Sequence, residues 1–207
     1  MTGTQNRLTG RKLEIIEVSK KLFLSKGYDS TSIAMILTEL GIAKGTLYHH
    51  FQSKDDILLA VITDTIDKEK EKTLKLVDTI EFNRLNPLQK LLALIRNADI
   101  STENAELISA LHVQDNANMQ AKMLGNYIEK FAPIYSSIIE EGNEVGLFNT
   151  CFPLESAELI IGGFQFLTDL GFYDWDENSI VRRSKAMFSI IENVLGAQKG
   201  ALLEEVG

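Results

Sequence analysis

The chain has 207 residues, of which 44% are hydrophobic and 24% are charged, an ordinary balance for a globular protein with one large or two smaller cores. Its lone cysteine, Cys151, excludes an internal disulfide framework and favours a reducing compartment. The start, MTGTQNRLTGRK, lacks the apolar segment of a secretory signal, and no apolar run approaches the length of a membrane span. We therefore expect a cytoplasmic protein without a membrane segment.

The net charge of −8 taken alone argues against binding to nucleic acid, but its distribution reverses that reading. Residues 1–54 hold eight Lys or Arg and four acidic residues, and the remainder holds 13 basic and 25 acidic residues. A basic head on an acidic body would orient the protein on a phosphate backbone, although an acidic solvated surface is common in itself. We expect an N-terminal arm and head over residues 1–54 and a second domain over residues 55–207.

The first dozen residues are polar, and their Arg7, Arg11 and Lys12 could reach DNA from a mobile arm; a flexible tail without a role fits equally well. Residues 10–26 predict a helix that closes the core of the head and ends at Gly27. The apolar residues of this helix are Leu13, Ile16, Val18, Leu22, Phe23 and Leu24.

The stretch from residue 31 to residue 58 predicts two short helices separated by a glycine turn. Ser30 or Thr31 can cap the first helix, because a side-chain oxygen accepts from an N–H group of the first turn. Gly41 suits the left-handed position that ends a helix. Two stripes follow helical spacing, Ile33, Ile36, Leu37 and Leu40 in the first helix and Ile42, Leu47 and Phe51 in the second.

The second short helix carries polar residues that no core requires. Lys44 lies in its first turn, where phosphate would offset the unfavourable helix dipole. Gly45 lets the backbone approach a duplex, and Thr46 offers a methyl and a hydroxyl to bases or phosphate. Tyr48 and His49 are long enough to reach the sugar–phosphate backbone. A helix–turn–helix of this layout places one helix across the backbone and the next in the major groove.

The sequence GTLYHHFQSKDDIL, preceded by GYDSTS, resembles the signature of the TetR (tetracycline-repressor-like) family of transcriptional regulators, over about residues 8 to 60. The resemblance implies an all-helical homodimer. Each subunit would carry a three-helix DNA-binding head and a larger C-terminal domain that binds a small molecule. By the same resemblance, the DNA-contacting positions are Thr31, Ser32, Lys44, Gly45, Thr46, Tyr48, His49 and Lys54.

Three residues depart from the family pattern. Leu37 and Leu40 stand where small residues are usual, so their extra volume requires repacking. Ala43 stands where a serine or threonine commonly caps the recognition helix, a loss of about 1 kcal/mol. These departures leave an alternative open, a helical ligand-sensing or interaction protein whose head no longer binds a specific operator. His49 and His50 point about 100° apart on a helix, so we expect no metal site there.

The rest of the chain predicts further helices and no strand, giving an all-α fold of about nine helices. Asp67–Lys72 has mixed charges and is interpreted as a solvated face. The predicted helices cover residues 54–80, a segment from Pro87, a segment from Ser101 or Thr102 to Val113, residues 117–141 with a kink at Pro133, Pro153 to about Leu170, and Glu177–Leu195.

The last two predicted helices have broad apolar faces, and Gly162 and Gly163 permit close helix approach. Two such helices and their twofold mates would form a four-helix dimer interface, although burial inside the monomer fits the same pattern. The predicted interface residues are Leu154, Ala157, Ile161, Phe164, Met187, Ile191 and Val194.

A small-molecule site is predicted from Met and aromatic side chains, which suit an adaptable apolar cavity but are also ordinary core residues. Its candidates are His112, Met119, Met123, Tyr127, Phe131 and Phe164.

Catalysis is not expected, because the sequence has no nucleophile elbow, no phosphate-binding glycine loop and no histidine pair at metal spacing. His112 with Asp115 is the one candidate metal pair, and we expect neither a metal nor a cofactor. The sequence favours a repressor that binds a palindromic operator as a homodimer and that a small molecule releases. Repression is the default by family analogy, and activation is the other option.

Overall fold

The computed structural model describes residues 10–97, 117–167 and 175–204, and within these ranges the chain forms helices and no strand. This confirms the predicted all-α fold. The predicted helix over residues 101–113 and most of the predicted arm lie outside the described residues. The helices are α1 (Gly10–Lys26), α2 (Ile33–Leu40), α3 (Lys44–His50), α4 (Lys54–Val77), α5 (Ile80–Asn83), α6 (Pro87–Asn97), α7 (Ala117–Glu144), α8 (Pro153–Leu167), α9 (Glu177–Leu195) and α10 (Ala201–Glu204).

The described residues up to 67, with 117–123, belong to one compact unit. Phe23 of α1 is fully buried and meets the Tyr28 ring edge-on, with centroids 5.2 Å apart. Helices α1 and α2 pack directly on each other. The fully buried apolar side chains around them are Ile15, Ile36, Leu47, Ile57, Leu58 and Val61, so every helix from α1 to α4 contributes to this core.

The remaining described residues, from 68 onward without 117–123, form a second compact unit. Pro87 opens α6 as predicted, and α6 buries one leucine-rich face. Lys90 on that face is also buried, because its ammonium donates to both carboxylate oxygens of Glu141 at 2.7 Å. In α7 the buried residues include Phe131 and Ile139, and Pro133 lies inside the helix with its ring exposed.

The end of the second unit is held by a buried carboxylate. Glu192 of α9 is 2% exposed and accepts the backbone N–H groups of Gly200 and Leu202 at 2.8 and 2.9 Å. Gly196 ends α9 in the left-handed conformation, with φ of 65°. The Asn149 N–H donates to the Leu195 carbonyl at 2.7 Å. Backbone and side-chain hydrogen bonds therefore fix the loop before α8 and the last described helix to the end of α9.

Helix α4 belongs in part to each unit, because its residues up to Asp67 group with the first and those from Lys68 with the second. The domain boundary after residue 54 stays a prediction. Within α4 the pair Glu69–Lys72 bridges at 3.3 Å on the face predicted to be solvated. None of the described helices is both long and apolar enough to cross a membrane.

The glycines of α7 give a matched test of packing in the second unit. A Cβ at Gly142 would overlap three ring carbons of the buried Phe148, whereas a Cβ at Gly125 would meet open space. We expect Gly142→Ala to lower the free energy of unfolding by about 1–3 kcal/mol, because the ring must move within a packed core. Gly125→Ala should leave it unchanged or raise it by up to about 1 kcal/mol. Chemical denaturation of both variants measures this, and equal stabilities would contradict the packing described.

Candidate nucleic-acid interface

Helix α2 ends at Gly41 as predicted, but its N-cap is Ser32 and not Ser30 or Thr31, the caps that the sequence suggested. Ser32 is its N-cap in extended conformation, and its hydroxyl accepts the Met35 N–H at 3.2 Å. Gly41 ends the helix at φ of 62°, a left-handed conformation that favours glycine. The N–H of the next residue, Ile42, donates to the Leu37 carbonyl at 3.2 Å. This closed turn directs the chain sharply into α3, as a helix–turn–helix requires.

Helix α3 has seven residues and begins after Ala43, which provides no side-chain cap, as the sequence predicts. Leu47 is fully buried and Phe51, just after the helix, is 4% exposed. These two side chains anchor one face of α3 in the core. The opposite face is turned outward.

The outward face of α3 is what we call the recognition surface, formed by Lys44, Gly45, Tyr48 and His49. All four residues are exposed. The Lys44 ammonium lies 5.5 Å from the centroid of the Tyr48 ring one turn away, and nothing occupies the space where a Gly45 Cβ would project. A cation, a phenol hydroxyl and an unobstructed backbone on one face suit contact with phosphate and groove edges.

The two remaining polar residues of α3 are half-buried. Thr46 and His50 are less exposed than the four residues of the recognition surface, and the His49 and His50 rings meet edge-on with centroids 5.1 Å apart. No group of three potential metal-ligating side chains occurs within the described part of the chain.

Thr31 occupies a different position from the recognition surface. It is 1% exposed, and its hydroxyl donates to the Gly27 carbonyl at 2.8 Å and lies 3.3 Å from that of Leu22. In this conformation the side chain cannot contact DNA, which corrects the prediction of a direct contact. Thr31 instead fastens the loop before α2 to the end of α1. Ser32, the next residue, is exposed.

Lys54 is engaged within the protein. Its ammonium donates to the carbonyls of Tyr28 and Thr31 at 2.9 and 3.2 Å and lies 3.9 Å from the centroid of the Tyr28 ring. The Tyr28 hydroxyl donates to Asp55, and burial followed by this hydrogen bond raises the Tyr28 pKa well above its usual value. We call this group of Lys54, Tyr28, Asp55 and the Thr31 carbonyl the Lys54 clasp. It joins the first turn of α4 to the loop before α2.

The predicted small-molecule residues are only partly within the described chain. Tyr127 and Phe131 are brought together, with rings stacked at 4.2 Å and 16°. Phe164 is half-buried, with its ring centroid 6.2 Å from that of Phe188. Met123 is half-buried as well. His112 and the Met119 side chain lie outside what the structure describes, as does Asp115.

The predicted dimer residues divide into two groups. Ala157, Ile161, Met187 and Ile191 are at most 7% exposed in the single chain, so they belong to the monomer core. This corrects their assignment as surface for a second subunit. Leu154 is 42% exposed, and Phe164 and Val194 are half-buried. Further apolar side chains of α8 and α9 are exposed. Leu167, Ile180 and Ile190 belong to the apolar faces that the sequence predicts, whereas Leu159, Phe166 and Val181 were not assigned to them.

Comparison with known proteins agrees with this architecture. Residues 15–61 match the family model for bacterial regulatory proteins of the tetR family, and residues 99–190 match a tetracyclin repressor-like C-terminal domain. The transcriptional repressor KstR2 of Rhodococcus jostii is 25% identical over 169 residues, which cover 78% of this chain and 76% of the repressor.

Solved structures of regulators share the fold. A TetR-family regulator from Mesorhizobium loti aligns with a TM-score of 0.63 at 22% identity, covering 92% of this chain and 98% of that one. RolR in complex with resorcinol aligns with a TM-score of 0.68 at 17% identity, covering 95% of this chain and 93% of RolR. With both halves matched by models of one family, and a helix–turn–helix in its head, the chain belongs to the TetR family of ligand-responsive, DNA-binding transcription regulators.

Proposed function

We propose that the protein represses transcription by binding a palindromic operator as a homodimer, with α3 of each subunit in the major groove, and that a small molecule releases it. The observation that carries this proposal is the recognition surface. Lys44, Gly45, Tyr48 and His49 are all exposed on a helix whose other face is fixed by buried Leu47. Residues held this way can meet a duplex without rearrangement of the core.

Within this proposal the DNA contacts are assigned to two groups. Lys44 and Tyr48 contact phosphate, with the ammonium and the hydroxyl on one side of the helix. Gly45, Thr46 and His49 face the groove. The exposed Ser32, at the start of α2, contacts the backbone beside them through its remaining hydrogen-bonding capacity.

Two observations support repression and release by a small molecule. The relative KstR2 is named a transcriptional repressor, and RolR has been solved with resorcinol bound. A ligand that prefers a head spacing unlike that of the DNA-bound dimer shifts the population and lowers operator affinity by its differential affinity for the two states.

The dimer is proposed to form through the exposed apolar residues of α8 and α9. Leu159, Phe166 and Ile190 are between 44% and 60% exposed, and water-exposed apolar patches of this kind mark interaction surfaces. Two subunits joined there would present two recognition surfaces, which bind half-sites about 34–36 Å apart.

The recognition surface predicts sequence-selective binding that two substitutions abolish. We expect the protein to bind its own upstream intergenic DNA at least tenfold more tightly than a scrambled duplex, and Lys44→Ala with Tyr48→Ala to remove that preference. Each lost phosphate contact should also lower the slope of log K against log salt by about 0.9. Fluorescence anisotropy at several salt concentrations measures both quantities, with Lys75→Ala, an exposed lysine of α4 outside the head, as the charge-matched control.

Equal and weak binding of the wild type to every duplex tested would contradict operator recognition. That outcome would favour a helical ligand-sensing protein with a degenerate head, in line with Leu37, Leu40 and the uncapped Ala43.

The Lys54 clasp predicts a different response from that of Lys44. Lys54→Met keeps the apolar stem but removes the donor to two carbonyls, so we expect the free energy of unfolding to fall by about 1–3 kcal/mol. Operator affinity should fall with it while the salt slope stays at the wild-type value, because the ammonium is engaged with backbone rather than phosphate. Tyr28→Phe keeps the ring beneath Lys54 and removes only the hydrogen bond to Asp55, so it measures that part of the clasp separately. A salt slope lowered as in Lys44→Ala would show that Lys54 leaves the clasp to bind DNA.

The exposed apolar face of α8 predicts the oligomeric state. Leu159→Glu should convert the dimer to a monomer and weaken operator binding, because two carboxylates would be desolvated at the interface. Leu74→Glu introduces the same charge at an exposed leucine of α4 and should leave the dimer intact. Analytical ultracentrifugation distinguishes these outcomes. A dimeric Leu159→Glu variant of unchanged dissociation constant would place the interface elsewhere.

A further inference from the structure

Tyr127 in α7 has a hydroxyl that the described part of the fold does not use. The residue is 5% exposed, and its oxygen is buried with no hydrogen-bond partner among the described residues. The ring is well placed, since it stacks on Phe131 with centroids 4.2 Å apart. Burying a hydroxyl without a partner costs roughly 1–3 kcal/mol in proteins, so phenylalanine would satisfy the packing at lower cost. The hydroxyl therefore calls for a reason outside the packing of the monomer.

Side chains from two other helices lie near this hydroxyl. Burial, and after it the negative charge of Glu69 on α4, raise the Tyr127 pKa, while the Gln165 side chain of α8 lies close enough to lower it. A raised pKa keeps the phenol protonated near neutral pH, where its hydroxyl can donate. The Gln165 amide can both donate and accept. Three helices thus bring a donor, an amide and a carboxylate to one aromatic, largely apolar region.

We infer that the Tyr127 hydroxyl is the polar anchor of the effector site and that the effector is an uncharged, mainly apolar molecule with a hydroxyl or carbonyl oxygen. That oxygen accepts from Tyr127, and the Gln165 amide provides a second hydrogen bond. The apolar body lies beside the Tyr127–Phe131 stack. The inference rests on the proposed function, because it gives the chemistry of the ligand that releases the operator.

The charge near the anchor selects against anions. The field that acts on the Tyr127 hydroxyl from Glu69 is negative. Glu69 is paired with Lys72 at 3.3 Å, but the lysine side chain is 62% exposed and the glutamate side chain only 21%. An anionic ligand would lose its hydration beside a carboxylate. A neutral oxygen accepts the phenol hydrogen bond without that cost, and a buried donor strongly favours a ligand that carries the matching acceptor.

The test uses three probes with one ring system, 2-naphthol, 2-naphthoate and 2-naphthylmethylammonium, titrated calorimetrically into the full chain without DNA. We expect the neutral 2-naphthol to bind at least tenfold more tightly than 2-naphthoate, which Glu69 repels, and than 2-naphthylmethylammonium, which must lose its hydration and has no oxygen to accept from Tyr127. Tyr127→Phe should reduce 2-naphthol affinity about tenfold. Tyr28→Phe, the same atom deleted from a buried tyrosine of the first unit, should leave it unchanged.

A second measurement does not depend on the choice of probe. Ligand-free Tyr127→Phe should melt at the wild-type temperature or above it, because the variant removes an unsatisfied buried hydroxyl. A melting temperature several degrees lower would show that the hydroxyl has a structural partner and would overturn the inference. Absence of 2-naphthol binding, or equal or tighter binding of either ion, would overturn it as well.

The two measurements distinguish failure of the proposed function from failure of the effector inference. Binding of 2-naphthol is measured without DNA, and operator binding is measured without the probe. Operator-selective binding with no Tyr127-dependent probe binding contradicts the effector inference alone. Tyr127-dependent probe binding with no operator selectivity contradicts the proposed repressor and retains the ligand site.

Discussion

The burial of Leu47 is the constraint on which the DNA-binding head depends. A helix of seven residues is far too short to be stable alone in water, and α3 also lacks a side-chain cap at Ala43. Its helical geometry must therefore come from tertiary contacts, chiefly Leu47 at 0% and Phe51 at 4% exposure. Because Leu47 and Phe51 fix one face of the helix in the core, the residues on the opposite face are not needed for packing. The recognition surface is therefore available for binding, because none of its residues is needed for the core.

The loop that leads into α2 is held in turn by the Lys54 clasp. Lys54 holds the carbonyls on either side of the segment that leads into α2, and Thr31 ties the same segment back to α1. The two residues act at one loop from opposite directions. An ammonium that spans two carbonyls over an aromatic face is stabilised in two ways, by hydrogen bonds and by the cation–π contact. Any movement of the first turn of α4 must therefore be transmitted to the loop that carries the N-cap of α2.

Sequence reasoning succeeded where the determinants are local and failed where they are distant. The C-terminal end of α2 follows from Gly41, whose role involves residues no more than four positions away, whereas the N-cap is Ser32 and not the predicted Ser30 or Thr31. The clasp joins Lys54 to Tyr28 across 26 positions, and nothing in the local pattern distinguishes a phosphate-binding lysine from one bound to backbone. Thr31 shows the same limit, because its burial depends on the packing of α1, where the Leu22 carbonyl lies nine positions away. On α8 and α9, helical periodicity identified apolar residues but could not separate Ala157 and Ile191, which face the monomer core, from Leu159 and Ile190, which face outward.

Helix α4 links the two functions, because it carries Lys54 and Asp55 in its first turn and Glu69 farther along. A ligand whose oxygen accepts from Tyr127 would displace or reorient the groups around that hydroxyl, Glu69 among them. An α-helix transmits such a displacement along its axis with little loss, since each turn is hydrogen-bonded to the next. The Tyr127 hydroxyl has no hydrogen-bond partner among the described residues, whereas the Lys54 ammonium is hydrogen-bonded within the chain. We propose that an effector supplies the partner of that hydroxyl, and α4 carries a residue beside each of the two contacts.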